Sequence, residues 1–406
     1  MATVRAVPLA TITLLALTGC GALPSSARTV EPAAVLATAS APSTSHLINA
    51  REGLPMAAPT AAPSPPSPPA SSGLLVVARA DGGAGTTAVL LVTSAGRTVA
   101  STHITAEPWR VVAGPAGAYW MQGGRVDVLT AAGGVIDIGP VPGDAGELLV
   151  SPDGGEYAYD TSRAVTRSPG VVENRITVQR IGGGSTVIAD RVSDPSRPTA
   201  DAPPTWMYGL ATWTQAGIVF RREVTGTCGC APFDMEMLAG YSAVIDPVTQ
   251  TVTSLTSEPT CPLSSFGASW ATICFHDSGS GGVDQLRVTS SGASTARLNM
   301  SGTNVAGYAV FAADAALVAY ETVPVADSGC GSAPYPTTLH VLGLASGEVR
   351  AAQIAGLHLR QWPAGGPLYA TVESAAGTAV VSIDPSTLEL HTVMPASSGG
   401  SLRGLT

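Results

Sequence analysis

Cysteine, histidine and methionine are the side chains through which this sequence could do redox or metal chemistry, and their spacing limits the options. Downstream of Cys20 stand Cys228, Cys230, Cys261, Cys274 and Cys330. The segment Cys228-Gly229-Cys230-Ala231-Pro232-Phe233 is echoed by Cys330-Gly331-Ser332-Ala333-Pro334-Tyr335. In an oxidising compartment thiols pair. A Cys261 to Cys274 bond closes a loop of about 14 residues, worth about 3 kcal/mol in the chain-entropy account. Cys330 then takes Cys228 or Cys230, or those two pair with each other and Cys330 stays free; an odd number leaves the connectivity open. Cys228 and Cys230 with Met235, Met237 and His276 offer soft ligands for copper. The two methionines, however, stand at the spacing of one strand face, which suits packing. His46, His103, His340, His358 and His391 are isolated, with no His-x-His or His-Glu-x-x-His spacing.

Nucleophilic and acid–base chemistry finds less. Residues 240–244, Gly-Tyr-Ser-Ala-Val, lack the final glycine of a serine nucleophile elbow. All 20 of the Lys plus Arg residues are arginine, which removes lysine nucleophiles, Schiff bases and the phosphate-binding P-loop. Glu147, Glu321 and Glu373 are acidic residues that separate repeats could bring together for glycan chemistry, although their neighbours carry no motif. No cofactor is implied. A net charge of −9 without a basic run argues against nucleic acid as a partner.

The elements that must position these residues are hairpins. Residues 381–393, Val-Ser-Ile-Asp-Pro-Ser-Thr-Leu-Glu-Leu-His-Thr-Val, set two apolar-alternating runs about one turn. Asp384 can accept a backbone hydrogen bond two residues on, and Pro385 presets φ for the reversal. Residues 244–255 repeat the pattern through Asp246-Pro247, and looser copies lie at 91–100, 128–138, 178–189, 288–298 and 341–354. The spacing is about 48 residues, that of four-stranded propeller blades. Two further strands precede each hairpin; in the second repeat the four are expected at 109–112, 118–121, 125–130 and 135–138. The first repeat supplies only 74–78, 88–93 and 97–104, so residues 401–406 are expected to add its missing strand and close an all-β, seven-bladed propeller.

In such a ring, turns between strands a and b and between c and d share one rim, while b-to-c loops and connections between blades share the other. The second set is the longer, at 160–174, 190–204, 225–239, 257–263 and 324–337. Binding residues concentrate on loops held by a rigid scaffold. Trp206, Phe233, Trp270, His276, Asp277 and Tyr335 on or near this rim are therefore the candidate binding residues. Trp109, Trp120, Trp213 and Trp362 are read as packing between blades.

The N-terminus gives an address. Residues 1–19 combine Arg5 with an apolar stretch too short to span a membrane, as a signal peptide does. Leu17-Thr18-Gly19-Cys20 resembles the lipobox of bacterial lipoproteins, which implies a diacylglyceryl group on Cys20 holding the protein on the outer face of the cell membrane. Residues 20–72, rich in Pro, Ala and Ser, read as an unfolded tether, and 73–406 as the propeller. Ser151-Pro152-Asp153-Gly154 resembles the Ser-Pro-Asp-Gly repeat of TolB-type, WD40-like propellers, which serve protein interactions in the envelope. The resulting expectation is a non-catalytic module binding envelope protein, peptide or glycan. The alternatives are a glycan- or peptide-processing propeller with channel carboxylates, and redox or metal handling at the cysteines.

Overall fold

The computed structural model describes residues 73–406 except 82–84, 167, 169, 195, 197–205, 225–232, 234–240, 257–262, 267–268, 278–281, 291–295, 313–315, 330–333, 364, 398–399 and 406. It is an all-β ring of seven four-stranded antiparallel blades. The first blade contains β1 (Leu75–Asp81), β2 (Thr86–Val92) and β3 (Thr98–Ile104). The second contains β4 (Val111–Gly114), β5 (Gly117–Gln122), β6 (Arg125–Thr130) and β7 (Val135–Pro140), close to the expected ranges. The third has β8 (Ala145–Val150), β9 (Glu156–Ala164), β10 (Val172–Arg180) and β11 (Ser185–Ser193). The fourth has β12 (Trp206–Thr214), β13 (Gly217–Val224), β14 (Tyr241–Ile245) and β15 (Val252–Thr256). The fifth has β16 (Leu263–Phe266), β17 (Ser269–Asp277), β18 (Val283–Ser290) and β19 (Ala296–Asn299). The sixth has β20 (Asn304–Phe311), β21 (Leu317–Pro324), β22 (Thr338–Gly343) and β23 (Val349–Gln353). The seventh has β24 (Leu357–Gln361), β25 (Leu368–Ser374), β26 (Gly377–Ile383) and β27 (Leu390–Ser397).

The last strand, β28 (Gly400–Leu405), pairs antiparallel with β1 in the register Leu75↔Leu405 and Val77↔Leu402, so the C-terminus completes the first blade as its innermost strand. Both blade edges that an open array would leave unpaired are thereby satisfied.

The two Asp-Pro hairpins are built alike. Asp384 Oδ1 accepts from the amides of Ser386 at 2.7 Å and Thr387 at 3.2 Å, and Asp246 Oδ1 from those of Val248 at 2.8 Å and Thr249 at 3.1 Å. These donors hold both carboxyls below the usual aspartate range, with the Ser386 hydroxyl the largest influence at Asp384 and the Val248 amide at Asp246. Each turn ends on a left-handed residue, Leu388 at φ 61° and Gln250 at φ 57°. In the Ser-Pro-Asp-Gly turn, the Ser151 hydroxyl donates to Asp153 at 2.6 Å and Gly154 supplies φ 72°.

Packing lies between the blades. Leu75, Val77 and Leu402 of the first blade meet Tyr369, Val380 and Met394 of the seventh. Tyr119 and Val128 of the second meet Leu148 and Tyr157 of the third, and Ile176 of the third meets Tyr208 and Phe220 of the fourth. Phe275 and Leu286 of the fifth meet Phe311 and Tyr320 of the sixth, and Leu339 of the sixth meets Leu359 of the seventh. A blade taken alone would expose the faces from which these clusters are made.

The third blade's loop is shorter than expected, because β9 and β10 continue the ladder to Ala164↔Val172 and leave 165–171 as the connection. Asp160 is a strand residue there, buried, with its carboxylate accepting from the Glu147 amide at 2.6 Å.

His340 on β22 stacks on Tyr320 at 4.8 Å and its Nε2 lies 2.9 Å from the Thr322 hydroxyl. Burial pulls its pKa down to about 4, so the fold favours the neutral ring. Stability from this site is complete above about pH 6.5, the value for a free imidazole, and is lost as pH falls towards 4. His340→Gln is expected to weaken that dependence in urea titrations between pH 7 and 4; parallel curves for the two proteins would count against it.

Candidate functional site

The innermost strands β28, β4, β8, β12, β16, β20 and β24 succeed one another around the ring axis. Strand alternation puts the b-to-c loops and the connections between blades on one rim. Among the expected binding residues, the structure joins Phe233 and Tyr335. Phe233, in the fourth-blade loop, is 3% exposed and packs with Val305, Val323 and Tyr335 of the sixth blade, itself 9% exposed. A Cβ on Gly307 of β20 would come within 2.5 Å of the Phe233 ring, so glycine is what allows the seat. One residue on, β20 carries a bulge between Gly307 and Val310, with Tyr308 at φ 47°. A bulge re-aims a side chain. Here the Tyr308 ring stands edge-on to Phe233 at 5.4 Å and to His358 at 5.2 Å, with the Arg360 guanidinium 5.8 Å from its centroid.

The others are not brought into this group. Trp206 is 6% exposed, packed on Tyr208 at 5.1 Å beneath the Arg222 guanidinium, so its ring serves the junction of the third and fourth blades. His276 on β17 is exposed, with Nδ1 2.7 Å from the Asp284 carboxylate. The side chains of Trp270 and Asp277 lie outside the described residues, as do Cys20, Cys228, Cys230, Cys261 and Cys330. Cys274 on β17 is buried and disulfide-bonded, to a residue outside those described. Among the described residues no group of three or more His, Cys, Asp or Glu is placed to hold a metal.

The three glutamates engage different partners. Glu147 of β8 accepts a hydrogen bond from the Leu210 amide on β12. Glu321 of β21, fully buried, accepts one from the Leu359 amide on β24. Glu373 lies 3.7 Å from His358 Nε2, whose pKa burial and then Arg360 push down. The first two are inter-blade clamps: each carboxylate reaches from one blade to a backbone N–H of the next. Asn174 repeats the device in neutral form, its Nδ2 donating to the Trp206 carbonyl at 3.3 Å.

Trp109, expected to pack between blades, is instead 51% exposed in the short 3₁₀ turn Pro108–Arg110 between β3 and β4, with the Arg110 guanidinium 4.8 Å from its ring centroid. A proline at the head of that turn after Glu107 was the available signal. Away from the rim, a cleft of about 340 Å³ opens between the third and fourth blades, lined among others by Val187, Asp190, Tyr208, Arg222 and Val252.

No protein-family model and no curated protein sequence matches the chain. Solved structures do. A structure of prolyl endopeptidases matches with a TM-score of 0.50 at 11% identity, over 81% of this chain and 50% of that one. An oligogalacturonate lyase in complex with manganese matches with 0.49 at 11% identity, over 81% and 98% of the two chains. TolB from Acinetobacter baumannii matches with 0.38 at 12% identity, over 77% of each. At such identity the prolyl endopeptidase match is a likeness of fold, and this chain spans about half of that enzyme's length.

The contact between Phe233 and Gly307 is directly testable. Gly307→Ala is expected to lose about 1–3 kcal/mol of stability, the usual range for overpacking. Placing the same change in a Phe233→Ala background should remove most of that loss, since the ring that clashes is gone. Equal losses in both backgrounds, measured by chemical denaturation, would separate Gly307 from Phe233.

Proposed function

We propose that this protein is a lipid-anchored, extracytoplasmic β-propeller that binds a protein, peptide or glycan of the cell envelope at its long-connection rim, without catalysis. The observation that carries the reading is the exposed Trp109 beside Arg110 on that rim, because a half-exposed tryptophan with an arginine over its ring is the composition of a binding hot spot. The Leu17-Thr18-Gly19-Cys20 segment supports the anchor, with Cys20 as its attachment point and residues 20–72 as the spacer. The commitment of Glu147 and Glu321 to backbone amides of neighbouring blades favours binding over acid–base chemistry at those residues.

The disulfides belong to this proposal. Cys261 is paired with Cys274, and Cys330 with Cys228 or Cys230. The meeting of Phe233 with Tyr335 supports the second, since these residues follow the cysteines by the same few positions in their two loops. Such bonds would fix the rim's loops before a ligand arrives and lower the ordering cost of binding.

The test uses a photo-cross-linking amino acid at position 109 and, as a control, at Val135, which is 49% exposed on the opposite rim. In intact cells, adducts are expected from position 109 and not from 135, in the membrane fraction, and with Cys20→Ser the protein should leave that fraction. Adducts from 135 alone would overturn the rim assignment. Retention of Cys20→Ser on membranes would overturn the anchor.

A further inference from the structure

We propose that the centre of the ring holds a carboxylate-binding site formed by Arg360 of β24 and Arg403 of β28. These innermost strands belong to the seventh and first blades and adjoin at the point where the ring closes, where a Cβ on Gly404 would lie 3.4 Å from Gln361 Oε1. Arg360 is exposed. Its one described contact is the face of Tyr308, and it has no carboxylate at ion-pair distance among the described residues. Arg403 donates Nε–H to the Val111 carbonyl at 2.8 Å and Nη2–H to the Trp109 carbonyl at 2.7 Å, which fixes its plane and leaves Nη1 for a ligand. It too has no described ion pair.

Two guanidiniums set near each other repel. Burial and then the charge of Arg360 pull the Arg403 pKa down to about 10, with Glu147 opposing. Glu147 offsets this only in part, as the smallest of the three influences on Arg403. A planar anion with two acceptor oxygens relieves this repulsion, because guanidinium matches carboxylate in a two-point geometry. Beside it, the Tyr308 ring, edge-on to His358, gives an aromatic wall against which the apolar part of the ligand can lie. The inferred ligand is therefore a small carboxylate, either a peptide chain end or an acidic sugar. The site uses neither the rim's exposed Trp109 ring nor the membrane anchor, so it stands or falls separately from the rim reading.

The experiment is calorimetric titration of the full chain with N-acetyl-Ala-Phe bearing a free C-terminal carboxylate, its amide, glucuronate, glucose and inorganic phosphate. Saturable binding is expected for one or both carboxylates, with none for the amide or glucose; the peptide or glucuronate arm identifies the source. Arg360→Gln, at an exposed position, should weaken binding at least tenfold while leaving the melting temperature within a few degrees. Arg360→Lys should recover only part of the affinity, because lysine keeps the charge and loses the fork. No binding by either carboxylate, an unchanged affinity in Arg360→Gln, or phosphate binding as tight as carboxylate would overturn the assignment.

Discussion

Burial between blades is the constraint on which this molecule rests. Every large described cluster draws its side chains from adjoining blades, as when Leu75 and Leu402 of the first meet Tyr369 and Met394 of the seventh. A sheet of four short strands cannot hide both faces by itself, so each blade depends on two neighbours and the ring on its closure. Closure comes from β28 lying beside β1, two segments more than 300 residues apart in sequence. Loop-closure entropy grows only slowly with such separation, so one long-range pairing can be offset by the surfaces it allows to be buried.

Polar links near the axis add specificity to this apolar arrangement. Glu147 reaches from the third blade to the Leu210 amide of the fourth, Glu321 from the sixth to the Leu359 amide of the seventh, and Arg403 from the first to two carbonyls at the start of the second. Each satisfies a backbone group that a propeller's inner strand would otherwise turn towards a neighbour without a partner. The same inner strands carry the proposed carboxylate site, so the groups that order the ring and the groups offered to a ligand are interleaved. A ligand held between Arg360 and Arg403 would bridge the junction of the first and seventh blades.

The fold was legible because its signals are local and repeated. Asp246-Pro247 and Asp384-Pro385 announce their turns through carboxylates that accept the amides just downstream, and period-two apolar runs around them mark the strands. The first blade's fourth strand is legible by number alone, since three strands at one end and a spare run at the other imply closure. What could not be read depends on distant contacts or backbone irregularity. Nothing near Phe233 says that its ring seats on Gly307 of the sixth blade, and nothing near Tyr308 announces a left-handed bulge. Trp109 and Trp206 share a residue type and a place beside an inner strand, yet one is half exposed and the other buried, because a 3₁₀ turn lifts the first while β12 carries the second into a core.

Native-state hydrogen exchange at the C-terminus tests the closed ring most directly. If the first blade is completed by β28, the amides of Leu402 and Arg403 should exchange only through the same large opening that releases Val76 to Ala78 of β1, with matching free energies and matching dependence on denaturant. Exchange of Leu402 and Arg403 at the rate of a frayed chain end, while Val76 to Ala78 stay protected, would contradict closure and with it the placement of Arg403 at the axis.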